Sequence, residues 1–172
     1  MLNANLEIKA RLRSWEQAQE AARRIATSGP EILRQTDTYF FCQNGRLKLR
    51  EIAEQGDELI WYDRPDQTDS KRSNYCRLNV ERPQDLKKAL SAALGVRGVV
   101  EKCRKVYFYH NVRIHLDQVV GLGEFLEFEA VLGTVGEAQS HKHLNHLRQH
   151  FAIEDNDLLA TGYADLTIPT EN

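Results

Sequence analysis

RIHLDQVVGLGEFLEFEAV, residues 113–131, is the stretch from which the rest of this 172-residue chain can be read. Two runs of apolar–polar alternation flank Gly121-Leu122-Gly123, and alternation at period two marks a strand whose faces see different surroundings. The stretch therefore predicts a β-hairpin. In its first arm Arg113, His115 and Asp117 share a face opposite Val112, Ile114 and Leu116; in its second, Glu127 and Glu129 oppose Leu126, Phe128 and Ala130. Two glutamates at i and i+2 stand about 7 Å apart on one face. An antiparallel neighbour that brings Asp117 close to them would gather three hard oxygen donors of the kind that suit Mg²⁺ or Mn²⁺. A solvated strand face with ordinary surface charges accounts for the same pattern.

The two-sidedness recurs upstream. Asn5–Arg13 alternates Leu6, Ile8, Ala10 and Leu12 against Glu7, Lys9, Arg11 and Arg13. Ser14 and Gln17 form a capping box that opens an Ala-rich helix, and Ser28-Gly29-Pro30 stops it. Thr36–Phe41 and Arg46–Glu51 are joined across Asn44-Gly45, a strong hairpin signal, with Arg46, Lys48 and Arg50 opposite Leu47 and Leu49. Strands follow at Glu58–Arg64 and Ser73–Val80, separated by a polar loop over 65–72 whose composition marks it as exposed.

Downstream, Pro83–Leu94 reads as a helix with Leu86, Leu90, Ala93 and Leu94 as its buried stripe, ended by Gly95. Val99–Tyr109 is a strand carrying Lys102 and Arg104 on one face. Glu137–Phe151 has helical spacing, and a shorter helix is predicted near Asp155–Leu166. About eight strands in antiparallel succession is the number at which a sheet can close into a small barrel. The expected class is α+β: one domain over 1–172, an eight-stranded antiparallel β-barrel with helices packed on its outside.

Composition bounds the function. Apolar residues make up 41% and charged residues 28%, with a formal net charge of −2, so no bulk basicity points to nucleic acid or a membrane surface. Cys42, Cys76 and Cys103 are far apart with no C-x-x-C pair, which indicates neither a disulfide framework nor a zinc site and fits a reducing cytoplasm. No apolar leader and no 18-residue apolar run is present, so neither secretion nor a membrane span is expected. The expected assembly is a monomer or a homodimer.

Which face is inside decides the rest. In a common barrel the apolar faces point inward and the charges are solvated outside. In the inverted arrangement the apolar faces pack outward against the helices and the charges line a wet tunnel; the amphipathic helices supply the cover it needs. A dry interior holding a dozen charges is excluded, because each unpaired ion costs several kcal/mol against a domain stability of about 5–15 kcal/mol.

The residues resemble the CYTH domains, or triphosphate tunnel metalloenzymes, which include class IV adenylyl cyclases and thiamine or inorganic triphosphatases. Their N-terminal E-x-E-x-K corresponds here to Asn5-Leu6-Glu7-Ile8-Lys9. Similar segments follow at 35–40, 45–51, 62–64, 102–104 and 116–129, and the resemblance covers almost the whole chain. Asn5 stands where the full motif has its first glutamate, removing one carboxylate. The resemblance implies a metal-dependent enzyme acting on a triphosphate such as ATP or tripolyphosphate. By the same resemblance Glu7, Asp117, Glu127 and Glu129 would hold Mg²⁺ or Mn²⁺. Lys9, Lys48, Arg50 and Arg104 would carry catalysis, and with Lys102 would grip the triphosphate, supplemented by Arg11, Arg64 and Arg113. Arg64-Pro65-Asp66 and Lys71–Tyr75 look more like the cyclase branch, with a rim of Tyr62, Arg64, Ser73 and Tyr75 around a base and ribose. Cyclisation of ATP is the leading expectation, triphosphate hydrolysis the alternative, and a non-catalytic binding module, suggested by Asn5, the third.

Other features are read in two ways. His141, His143, His146 and His150 are either metal ligands or a polar helix face. His115 is either a proton carrier or a neighbour that hydrogen-bonds Asp117 or phosphate. Lys71-Arg72 either closes over a nucleotide or is an ordinary loop pair. Trimming Lys48, Arg50 or Arg104 to Ala is expected to leave the fold intact by relieving like-charge crowding.

Overall fold

The 113–131 segment forms the expected hairpin in a computed structural model that describes residues 2–133 and 135–167. Strands β7 (Val112–Val119) and β8 (Gly123–Val131) pair antiparallel, with Arg113 opposite Glu129 and His115 opposite Glu127. Their turn passes through Gly121 and Gly123 at φ 75° and 102°, the left-handed region that glycine enters without a Cβ clash. The chain order of the other elements is β1 (Asn3–Arg11), α1 (Trp15–Ile25), β2 (Ser28–Phe40), β3 (Arg46–Ile52), β4 (Asp57–Asp63), β5 (Lys71–Val80), α2 (Pro83–Leu94) and β6 (Val96–Tyr109), with α3 (Glu137–His150) and α4 (Tyr163–Thr167) after the hairpin. The strands close as β1-β5-β4-β3-β2-β6-β7-β8, every pairing antiparallel. The fold is α+β with an eight-stranded closed barrel.

The barrel is inverted. Leu6, Ile8, Ile114, Leu116, Leu126 and Phe128 point outward and pack with Ala18 and Ala22 of α1 and Leu144 and Leu147 of α3. Fully burying a leucine stabilises by about 1.5–3 kcal/mol, so α3 is anchored chiefly by Leu144 and Leu147. A second apolar cluster gathers Tyr39, Val100, Val119 and Phe125 with Tyr163 and Ala164 of α4 at one end of the barrel.

Three expectations change. Helix α2 has its predicted bounds but no buried residue: Leu86 and Leu90 are half-buried and Leu94 is exposed, because β2 and β3 touch it lightly and nothing among the described residues covers its other side. Strand β2 starts at Ser28, eight residues early; its first half pairs with β6 while Ile32 stays exposed, so apolar alternation does not mark it. The predicted 155–166 helix divides into a 3₁₀ turn at Asp155–Asp157 and α4, since Leu158 and Leu159 run as extended chain bonded to β1. No helix among the described residues is long and apolar enough to cross a membrane.

Candidate functional site

With the apolar faces outward, the opposite positions of the strands converge on a cavity of about 310 Å³. Of the residues singled out from sequence, Glu7, Lys9, Lys48, Arg50, Arg64, Lys102, Arg104, Arg113, Glu127 and Glu129 line it, as do Tyr62, Ser73, Tyr75 and His115. Arg11 and Asp117 do not. Arg11 is exposed at the end of β1 with its guanidinium 5.1 Å from the Phe125 ring centre, and Asp117 lies wholly buried beneath other side chains.

Each wall is organised by carboxylates. On the β2–β3–β6 side Asp37, with 0% exposure, accepts hydrogen bonds from Lys48 Nζ at 3.0 Å, Lys102 Nζ at 2.7 Å and both Nε and Nη2 of Arg50 at 2.7 and 2.8 Å. Asp117 receives the Arg104 fork at 2.7 and 2.6 Å and the Tyr163 hydroxyl at 2.7 Å. Both its oxygens are therefore occupied. On the β1–β8 side Lys9 Nζ donates to Glu127 at 2.5 Å, Arg64 Nε lies 3.2 Å from Glu7, and Arg113 Nε lies 3.1 Å from Glu129. His115 stands between Glu127 and Glu129, 3.9 and 3.7 Å away.

Burial and partners set the proton affinities. Burial works to raise the Asp37 carboxyl, but Arg50, Lys102 and Lys48 together hold it well below the usual carboxylate range. Burial lowers Lys102 to about 7 despite Asp37, and burial with Arg50 beside it lowers Lys48 to about 8. Burial opposes ionisation of Glu127 as well, yet Lys9 and Arg104 keep it ionised; Glu7 moves the other way, raised by burial and by the Glu127 charge.

One end of the cavity is closed. Leu158 bridges to Ala10 and Leu159 N–H donates to Lys9 O, so the chain before α4 lies along β1. Lys71, 1% exposed, donates to the carbonyls of Gln67, Leu159 and Ala160 at 3.1, 3.0 and 2.8 Å; Arg64 Nη1 donates to Ala160 O at 3.3 Å. Tyr163 then lies under Lys9, whose Nζ is 3.7 Å from the ring centre. Tyr62, Arg64, Ser73 and Tyr75, the expected base-and-ribose rim, all line the cavity, with Arg64 also bonded to the closing segment; Lys71 is an interior clamp, not a loop cation. The opposite end is open to solvent, with Glu31 and Gln55 exposed and Leu33, Ile52 and Phe108 half-buried.

Sequence reasoning passed over Asp37 and Tyr163 as site residues. Asp37 does alternate with Gln35 and Tyr39 on one face of its strand, a signal that was present. Tyr163 had none, since its partners Lys9 and Asp117 are far away in sequence. The histidines of α3 lie outside the barrel, where His143 stacks on His110 at 4.6 Å and His146 on Tyr109 at 6.0 Å. Among the described residues no three His, Cys, Asp or Glu side chains gather as a metal cluster.

The donor chemistry of the β1–β8 wall nonetheless suits a hard cation. Glu127 and Glu129 both raise the proton affinity of Glu7, while, against burial, Lys9 and Arg104 hold Glu127, and Arg113 holds Glu129, below the ordinary glutamate range. Asn5, beside Glu129 and donating to it through Nδ2, leaves its buried Oδ1 without a hydrogen bond. Three carboxylates and an orphaned carbonyl oxygen are ligands for Mg²⁺ or Mn²⁺.

The model of the CYTH domain family matches residues 3–163. No curated protein matches the chain's sequence. Among solved structures, the PH1012 protein of Pyrococcus horikoshii OT3 superposes with a TM-score of 0.81 at 21% identity, over 94% of this chain and 98% of that one. A candidate adenylate cyclase from Vibrio parahaemolyticus gives 0.70 at 19% identity, over 94% and 96%. HpAC1 from Hippeastrum, described as a candidate adenylyl cyclase with a dominant triphosphatase activity, gives 0.62 at 16% identity, over 92% and 91%.

Proposed function

The chain belongs to the CYTH domain family, and from that premise we propose that it is a metal-dependent enzyme acting on a triphosphate held inside the barrel. The observation that carries the reading is the cation belt: Lys48, Arg50, Lys102 and Arg104 are held at fixed positions by two buried aspartates, facing Lys9 across the cavity. Phosphoryl transfer asks little covalent chemistry of a protein and much prepositioned positive charge around the phosphate oxygens. Lys9, Lys48, Arg50 and Arg104 would neutralise the triphosphate, with Lys102, Arg64 and Arg113 in support; the guanidinium forks match phosphate in bidentate fashion. Arg11, outside the cavity, would at most steer ligand toward it. Asp117 has its oxygens filled by Arg104 and Tyr163, so its proposed role is to aim Arg104, not to bind metal. Glu7, Glu127, Glu129 and Asn5 Oδ1 would hold Mg²⁺ or Mn²⁺, which when bound supplies Lewis-acid neutralisation of the reacting phosphate.

Two reactions share this arrangement, cyclisation of ATP to cyclic AMP and pyrophosphate and hydrolysis of a terminal phosphate. The cyclase-like residues 64–66 and 71–75 favour the first. The engagement of Arg64 and Lys71 with the closing segment favours the second, because it takes those residues away from a nucleoside. Incubation with ATP or tripolyphosphate plus Mn²⁺, with products separated by chromatography, decides between them. Cyclic AMP with pyrophosphate selects the cyclase; orthophosphate with ADP, or faster turnover of tripolyphosphate, selects the hydrolase; no metal-dependent product from either would leave a binding module only. The free thiols and the soluble-type composition suit work in a reducing cytoplasm.

The lowered lysines give the reading a pH signature. In the free protein Lys102 and Lys48 lose their protons near 7 and 8, far below their ordinary value, so the unfolded chain binds more protons across the interval from about 7 to 10 and the empty fold gains stability as pH rises. A bound polyanion recharges both. Tripolyphosphate affinity is therefore expected to fall above pH 8, by up to about tenfold per unit for each lysine, with proton uptake at pH 9 measured by calorimetry in buffers of different ionisation enthalpy. Proton release, or no exchange, at that pH would contradict it.

A further inference from the structure

Five side chains toward the closed end make one circuit of contacts. Lys9 Nζ meets Glu127 Oε2 at 2.5 Å, and Arg104 Nη2 lies 3.5 Å from the same oxygen. Arg104 is forked onto Asp117, Asp117 accepts the Tyr163 hydroxyl at 2.7 Å, and the Tyr163 ring centre lies 3.7 Å from Lys9 Nζ, which closes the circuit. Strand register accounts for four of the five: Lys9 pairs with Glu127 across β1 and β8, and Arg104 with Asp117 across β6 and β7. Tyr163 comes from α4, outside the barrel.

Glu127 draws Lys9 and Arg104 toward one oxygen, and Tyr163 supplies the contacts on the other side. Its aromatic face attracts the Lys9 ammonium. Its hydroxyl donates to Asp117 Oδ2, the oxygen that also receives Arg104 Nη2, and so shares the acceptor that aims the guanidinium. Burial, with the Asp117 and Glu127 charges, holds the phenol well above its ordinary pKa, so the hydroxyl stays a donor. The ring is itself fixed, 4% exposed and tilted against Phe125 with 4.9 Å between centres. Its segment is fastened by Lys71 on the carbonyls of Leu159 and Ala160, by Arg64 on Ala160, and by Arg97, which donates to Asp165 at 2.5 Å.

Resting on the proposed triphosphate site, we propose that Tyr163 is a positioning residue for the reaction: it sets the spacing of Lys9 and Arg104 across Glu127, through its ring on the first and through Asp117 on the second. Misplacing a reacting group by about 1 Å costs on the order of a hundredfold in rate. Ground-state grip is carried as well by Lys48, Arg50 and Lys102, which Asp37 holds. Loss of the Tyr163 contacts therefore falls on turnover and not on affinity.

The test is steady-state kinetics of the full chain with Mn²⁺ and whichever of ATP and tripolyphosphate the parent turns over, well below the melting temperature measured for each variant. Tyr163→Phe keeps the ring beneath Lys9 and drops the hydroxyl; it is expected to lower kcat about tenfold with KM within about twofold of the parent. Tyr163→Leu drops both contacts and is expected to lower kcat further, on the order of a hundredfold. A tyrosine that served packing alone would lower the melting temperature and leave kcat unchanged. Parent-like kcat in Tyr163→Phe, equal kcat in the two variants, or a raised KM with kcat intact would each overturn the positioning role while the triphosphate site stands. Tyr163→Phe is nearly isosteric, so it carries the test alone if Tyr163→Leu does not fold. A parent that turns over neither substrate would overturn both.

Discussion

Asp37→Asn is expected to lower the stability of the ligand-free protein by about 3–5 kcal/mol, although the substitution is isosteric. The carboxylate is wholly buried and is the shared partner of Lys48, Arg50 and Lys102. Asparagine keeps the volume and removes the charge, leaving Arg50 without its buried anion and driving Lys48 and Lys102, already lowered, further toward their neutral forms. Proteins of this size lose about 2–4 °C of melting temperature per kcal/mol, so the drop is on the order of 10 °C. Tripolyphosphate should restore more stability to the variant than it adds to the parent, because its oxygens supply the missing negative charge. Thermal melts with and without tripolyphosphate check both parts; a variant melting within about two degrees of the parent would show that Asp37 does not hold the belt. The same geometry reverses the expectation that trimming the belt relieves it. Arg104→Ala strands Asp117, wholly buried, with the Tyr163 hydroxyl as its remaining close partner, and should destabilise the fold.

The architecture was legible because alternation fixes faces. Leu6 and Ile8 against Glu7 and Lys9, or Leu126 and Phe128 against Glu127 and Glu129, determine which side chains travel together whatever the register. The register is what puts Lys9 beside Glu127 and Arg113 beside Glu129, and one chain's pattern does not carry it. Asp37 was visible as an inward residue but not as the hub of three cations, since its partners come from two other strands. Lys71 reads as an exposed loop residue until the 158–160 carbonyls are brought onto its ammonium. The apolar lining beyond Arg104 was hidden for a different reason. Val106 and Phe108 share parity with Lys102 and Arg104, so the inward face changes from charged to apolar within one strand, and a rule that assigns faces by polarity assigns that end wrongly. Helix α2 shows the converse: its apolar stripe is present, but amphipathicity records that a face could be buried, not that a partner lies against it.

Glu127→Gln is expected to lower turnover by about a hundredfold or more while the fold is kept, since losing a hard anionic ligand forfeits several kcal/mol of stabilisation of the reacting phosphate, at about 1.4 kcal/mol per tenfold. Folding should survive at some cost in stability: Lys9 and Arg104 lose the anion they hold ionised, but Glu7 is relieved of the Glu127 charge and Lys9 keeps its contact with the Tyr163 ring. Glu7 should then titrate lower, nearer an ordinary glutamate, which carbon-detected NMR of the carboxyl groups can read. The glutamate also holds Lys9 at 2.5 Å, so lost activity alone does not separate a metal ligand from a residue that merely aims a lysine. Metal binding does. Titrated with Mn²⁺ and followed by electron paramagnetic resonance, the variant should bind the ion at least about tenfold more weakly than the parent, whereas Lys9→Met should weaken triphosphate binding and leave Mn²⁺ affinity unchanged or tighter. If Glu127→Gln binds Mn²⁺ like the parent and still loses turnover, the carboxylate acts through Lys9 and the metal belongs elsewhere; if it turns over like the parent, neither role stands.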